Sequence, residues 1–112
     1  MFKNYTPHPL SIHTGDGVLE LMPDGPAPRL TVKRIDLKEL FGVPLVRSVM
    51  GLPENMPPKT AGIVYIVSAL VAEACPDRDD LVYPGEAIRD KNGRIVGARG
   101  LCAGPGLASN FF

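Results

Sequence analysis

Ala87-Ile-Arg-Asp-Lys-Asn-Gly-Arg-Ile-Val-Gly-Ala-Arg99 decides the reading of this chain. Asn92-Gly93 is the dipeptide that most readily takes the positive φ angles of a type I′ turn, so the segment is predicted to fold back as a β-hairpin. Between Arg89 and Arg99 it carries four cations (Arg89, Lys91, Arg94 and Arg99) and one acid, Asp90. The 112-residue chain balances 12 basic against 12 acidic residues, so this is a local positive ribbon on a neutral protein. Such a ribbon can grip a small anion but is too small to coat a nucleic-acid backbone.

Outward from the hairpin, apolar residues make up 45% and charged residues 21% of the chain, ordinary usage for one small domain. A pI near 6.7 argues against a dedicated DNA or RNA binder. No apolar run approaches the ~20 residues of a membrane helix. Met1-Phe-Lys-Asn-Tyr-Thr-Pro7 lacks the apolar stretch of a signal peptide, which gives a cytosolic expectation. Cys75 and Cys102 are too far apart for a metal knuckle and read as free thiols.

Leu10–Ile12 and Val18–Met22 flank Asp16-Gly17 and read as a second hairpin. Arg29–Ile35 and Val43–Met50 read as strands, with Pro44 marking an edge or a bulge. Asp36–Gly42 is either a helical turn or a loop exposing Leu37, Leu40 and Phe41. Ile63–Val67, apolar on both faces, is predicted to be central in the sheet. Ser68 caps a short helix over Ala69–Cys75, with Leu70, Val71 and Ala74 as its buried stripe, and Pro76 ends it. Asp77–Asp80 reads as a solvated turn, and the Gly/Ala/Pro segment from about Cys102 as a flexible tail. The expected class is α+β: a single domain over residues 1–112, of mainly antiparallel strands with one short helix.

Chemistry-bearing residues are few. Neither a P-loop nor a dinucleotide fingerprint is present, and no Cys or His pair has metal-ligand spacing. His8, held extended between Pro7 and Pro9, can serve as base, ligand or packing group. Cys75 at a helix C-terminus sits at the negative dipole end, the wrong place to activate a thiol. Asp90, beside Arg89 and Arg94, is expected to orient their guanidinium groups. Arg29, Arg89, Arg94 and Arg99 offer forks that match phosphate oxygens, and Tyr65 and Tyr83 offer rings for stacking a base. The alternative is an ordinary charged surface over core tyrosines.

Several segments together resemble a known family: Tyr5-Thr-Pro-His-Pro-Leu-Ser-Ile12, Gly25-Pro-Ala-Pro-Arg-Leu30, Gly51-Leu-Pro53, Tyr65-Ile-Val-Ser-Ala-Leu-Val-Ala72, Arg78-Asp-Asp-Leu-Val-Tyr-Pro84 and Ala87–Gly97. They are similar to small phage and prophage proteins that include the first family of Thoeris anti-defence proteins. That resemblance implies a non-enzymatic sponge that holds a TIR-derived cyclic ADP-ribose isomer, and in some members cyclic oligonucleotides, without degrading it. It also implies a homo-oligomer with ligand pockets between protomers, working in the cytoplasm of an infected bacterium without cofactor, metal or catalytic residue. By the same resemblance Arg29, Asn92 and Arg99 contact the ligand, joined by Arg89 and Arg94; the expectation of Tyr65 as a stacking surface comes from its ring alone. The tail after Leu101 departs from the family's pattern. Two other readings stand beside this one. One is an enzyme cleaving a nucleotide, with His8 or Asp77–Asp80 as base. The other is an interaction protein using Leu37, Leu40, Phe41, Phe111 and Phe112.

Overall fold

Ile63–Val67 organises the molecule as its two apolar faces require. In the computed structural model, which describes residues 1–111, Val64–Ile66 form strand β6 and are buried throughout. On one side Tyr65 packs with Val67, Val71, Ala72 and Leu81. On the other, Val64 and Ile66 pack with Val82, flanked by Leu10, Leu21, Leu101 and Leu107.

Around β6 the chain runs β1 (Phe2–Asn4), β2 (Leu10–His13), β3 (Val18–Leu21), β4 (Val32–Asp36), β5 (Val46–Met50), β6, α1 (Ala69–Ala74), β7 (Leu81–Arg89) and β8 (Ile95–Ala103). Six strands form one sheet in the order β1-β6-β7-β8-β2-β3. Antiparallel ladders β7–β8 and β2–β3 carry most of its pairs, and three short parallel ladders (β1–β6, β6–β7 and β2–β8) make it mixed. The class is the expected α+β, a single small domain of mainly antiparallel strands and one short helix.

The two edges of the sheet meet. Asn4 of β1 bridges to Pro23 just beyond β3, and the Asp24 amide donates to the Asn4 carbonyl at 2.7 Å. Asn4 is 0% exposed, and its side chain locks this closure. Nδ2 donates to the carbonyls of His8 (2.8 Å) and Leu21 (3.1 Å), while Oδ1 accepts from the Thr6 amide (2.9 Å) and hydroxyl (2.7 Å). Pro7 and Pro9 have no N–H to contribute, so the turn between β1 and β2 is held by this carboxamide together with the Thr6 hydroxyl, which donates to the His8 carbonyl.

Several expectations are corrected. The β7–β8 turn is not type I′, because Gly93 alone takes a positive φ, at 79°. The Gly93 amide donates to the Asp90 carbonyl, and Asp90 Oδ1 accepts from the amides of Asn92 (2.8 Å) and Arg94 (3.0 Å). The Asp90 carboxylate is thus engaged with backbone, not guanidinium groups, and it favours a longer loop. The register shifts between Ile88 and Arg89, so Val96 is an extra residue and side-chain alternation breaks there. Pro84 lies within β7, so the hairpin's first strand starts at Leu81, ahead of Ala87.

Helix α1 is capped by Ser68, whose hydroxyl accepts from the Val71 amide at 3.3 Å, and it buries Val71 and Ala72 while Leu70 is exposed. The tail is not loose over its described part. Cys102 and Ala103 close β8, the Gly104 amide donates to the Leu81 carbonyl, and the Ala108 amide donates to the Asp79 carbonyl. Gly104 and Gly106 permit this docking, since a Cβ at Gly104 would stand 2.7 Å from the Leu81 carbonyl oxygen and one at Gly106 2.6 Å from that of Arg78. Phe112 lies outside the described residues.

β4 and β5 form their own two-stranded sheet, an arm on which every residue from Thr31 to Leu52 is exposed. Leu40 and Val43 exchange backbone hydrogen bonds of 2.8 and 2.9 Å around Phe41-Gly42, with φ of 50° and 81°. Positive angles at both central residues are those of a type I′ turn, so that geometry is used here and not at Asn92-Gly93. The arm stretches the molecule to 57 Å, with a radius of gyration of 17.1 Å, against about 13 Å for a compact chain of this length.

Candidate functional site

The β7–β8 ribbon carries its positive charge beyond the barrel-like core. Asp90 is committed to the loop amides. Arg89 Nη1 donates to the Gly93 carbonyl at 2.7 Å, so Arg89 braces the turn and keeps part of its fork free. Arg94 and Arg99 are exposed, and among the described residues neither has a side-chain hydrogen bond or a carboxylate within ion-pair distance. Arg99 sits on the ladder between Glu86 of β7 and His13 of β2. Asn92 is exposed in the turn, with its side chain uncommitted.

Beside the ribbon lies a groove of about 420 Å³, within the size range of small-molecule sites. His8 of the β1–β2 turn and Ser11 of β2 line one side, and Ala87, Ile95, Val96 and Ala98 the other. Ile95 faces Arg89 across the ladder and follows Arg94 in sequence, so Arg89 and Arg94 stand at the hairpin end of an apolar trough, while Arg99 lies opposite Glu86 and does not line it. Gly97 lets β2 come close to β8, because a Cβ there would stand 2.9 Å from both His13 Nε2 and the Ser11 carbonyl. An apolar trough with donor forks at one end suits a flat, partly apolar anion.

Arg29 lies elsewhere. Its backbone pairs with Glu54, and it lines a separate cavity of about 330 Å³ with Tyr5, Pro7, Ala27, Pro28, Ser68 and Val71. From Val82, level with Ile66, β7 runs seven residues to Arg89, which puts the ribbon tip roughly 20 Å beyond the end of β6. Arg29 thus lines a different cavity from the trough beside the ribbon.

Tyr65 is a core residue, not a stacking platform. It is 3% exposed, its hydroxyl donates to the Pro58 carbonyl at 2.7 Å, Tyr5 meets it edge-on, and the Arg78 guanidinium stands 5.9 Å from its ring centre. Tyr83 is half-buried against the same cluster, and its hydroxyl is pushed above its ordinary range by the neighbouring Cys102 thiolate charge, then by desolvation.

The Asp77–Asp80 turn is not uniformly solvated. Asp80 is 1% exposed and takes a two-pronged bond from Arg78 Nε and Nη2, both 2.8 Å, while Nη1 donates to the Pro57 carbonyl. Asp79 pairs with Lys59 at 2.7 Å, and that bond holds its carboxyl below the usual range. Asp77 remains exposed, so the three carboxylates do not converge. Among the described residues, no three His, Cys, Asp or Glu side chains group as a metal site. Burial pushes the Cys75 thiol up, more than nearby Arg78 lowers it.

The residue that sequence reasoning missed is Asn4. Its signal was the proline-flanked turn that follows it, which leaves backbone groups needing a side-chain partner. No helix among the described residues is long and apolar enough to cross a membrane. Compared with protein-family models, curated proteins and solved structures, the chain matches none.

Proposed function

We propose that this protein is a non-enzymatic binder that sequesters a small cyclic nucleotide, of the cyclic ADP-ribose class that the resembled anti-defence family takes. It would act in the cytoplasm of an infected bacterium. The observation that carries the reading is that Arg94 and Arg99, which adjoin the trough residues Ile95 and Ala98 in sequence, are exposed and have no ion pair among the described residues of a neutral chain. Guanidinium groups left without partners are available to a pyrophosphate, and the trough to a base. Asn92 supplies a polar edge for a ribose. Arg29, in its separate cavity, would reach such a ligand from a second protomer, in a homo-oligomer with shared pockets of the kind the resemblance implies. Tyr65 leaves the ligand set, since its ring faces are covered.

The test mixes purified protein with the TIR-derived cyclic ADP-ribose isomer, removes protein by filtration and assays the filtrate. The retained protein is then heated and the released molecules identified by mass spectrometry. Depletion with intact release, lost in Arg94→Ala and Arg99→Ala, is the expected result. An altered product would make the protein an enzyme, and no depletion at stoichiometric protein would refute the reading. One observation favours the interaction-protein reading: Leu37, Leu40 and Phe41 stand exposed on the arm.

A further inference from the structure

We infer that His8 is a ligand-binding residue of the trough, donating an imidazole N–H to the anion that Arg94 holds from the opposite side. The role rests on the reading of the trough as an anion site, and it makes binding there depend on pH.

Strand pairing sets the geometry. β2 pairs with β8 only at Ile12–Ala98 and His13–Arg99. Upstream of those pairs the trough lies between the β1–β2 turn and the start of β8. Counting back four residues from Ile12 and from Ala98 reaches His8 on one side and Arg94 on the other. An imidazole and a guanidinium therefore flank the hairpin end of the trough, with Arg89 beside the guanidinium, opposite Ile95.

Among the described residues that line the trough, His8 alone is ionisable. Its backbone is held on both flanks. Pro7 and Pro9 restrict the chain, and the His8 carbonyl accepts from Asn4 Nδ2 at 2.8 Å and from the Thr6 hydroxyl at 3.0 Å. His8 itself is exposed, and its imidazole has no hydrogen bond or ion pair among the described residues. A donor on a fixed backbone gives up little freedom when it binds. Ser11 is the hydroxyl of the same wall, and it already donates to Glu20 at 2.7 Å.

The charges near His8 sort by side. On its own side are Glu20, bonded to Ser11, and Asp24, which accepts from the Asn4 amide at 2.8 Å. Across the trough are Arg89 and Arg94, while the Asp90 carboxylate is taken by loop amides. From β7 the trough receives only Pro84, Gly85 and Ala87, none of them charged. Bare guanidinium groups oppose an imidazolium facing them, and an anion lying between reverses that opposition. Anion and proton thus favour each other's binding, and affinity rises as pH falls through the range of about 8 to 5 where imidazoles ordinarily titrate. The ligand class that fits is an anion of constant charge over that range, such as the pyrophosphate diester of a cyclic nucleotide, gripped from both sides.

Calorimetry of the full chain with the TIR-derived cyclic ADP-ribose isomer, at constant ionic strength and at pH of about 8 and about 5.5, tests this. Wild type should bind at least about tenfold tighter at the lower pH, and His8→Gln should change less than about twofold. His8→Lys, a permanent cation, should bind at both pH values about as tightly as wild type does at the lower one. In wild-type NMR spectra the imidazole protons of His8 should move on ligand addition more than those of His13. Equal wild-type affinity at both pH values, a pH dependence kept by His8→Gln, or unmoved His8 resonances would each overturn the role of His8 and leave the sponge reading standing. No binding at either pH overturns both.

Discussion

Replacing Asn4 with Ala should cost more than any other single change at the polar closure of the sheet. The substitution removes two donors and one acceptor from a site sealed from water. The Thr6 amide loses its acceptor, and the Leu21 carbonyl loses its side-chain donor. The His8 carbonyl is less affected, since it still accepts from the Thr6 hydroxyl at 3.0 Å. Two abandoned polar groups at about 1–3 kcal/mol each, with a small cavity added, put the loss near 4 kcal/mol. That is a large share of the roughly 5–15 kcal/mol that holds a domain of this size. Urea unfolding followed by circular dichroism measures it, with the slope m checked for constancy. Asn4→Asp, which preserves shape but presents a carboxylate to two carbonyls, should be at least as damaging. A loss below about 1 kcal/mol for Asn4→Ala, a typical single net hydrogen bond, would refute the idea that this carboxamide closes the barrel.

Asp80→Asn leaves the Arg78 guanidinium half-buried with its two-pronged partner neutralised, and should cost about 3 kcal/mol in the same unfolding assay. For pH, the relevant group is Asp79, whose carboxyl Lys59 holds below the ordinary range. A depressed folded value means its contribution is present above the unfolded carboxyl range near 3.9 and is lost as pH falls through the folded value. Lys59→Met should therefore move the Asp79 carboxyl titration upward in NMR, toward the ordinary value. No movement would show that the 2.7 Å pair is not held in solution.

The parts of the fold legible in sequence were those with local causes. Asn92-Gly93 between alternating apolar residues located the main hairpin, and the two-sided apolar run Ile63–Val67 located the central strand. The turn type was not legible, because it follows from the Asp90 carboxylate reaching two amides, an option that competes with type I′ and leaves no mark in the dipeptide. The tail was misread for a related reason. Gly104-Pro105-Gly106 reads as flexible chain until Leu81 and Pro76 arrive beside it, and then those glycines are what admits close backbone contact. The Arg78–Asp80 pair was only half within reach: an Arg fork matches a carboxylate, but the bend at Asp79 and Asp80 that brings the two together has no alternation to reveal it. At the candidate site, the positive ribbon followed from composition alone. The separation of Arg29 from it and the burial of Tyr65 depend on strand order, which no local pattern encodes.

Charge distribution ties these observations together. The chain is neutral, yet its acids are not spread evenly over its cations. Asp80 is consumed by Arg78, Asp79 by Lys59, and Asp90 by loop amides. What is left over at the ribbon is Lys91, Arg94 and Arg99, exposed and without ion pairs among the described residues, with Glu86 opposite Arg99 on the ladder. Binding of an anion there should therefore answer salt, because attraction to unpaired cations weakens steadily as the screening length falls from about 10 Å at 0.1 M toward 3 Å at 1 M.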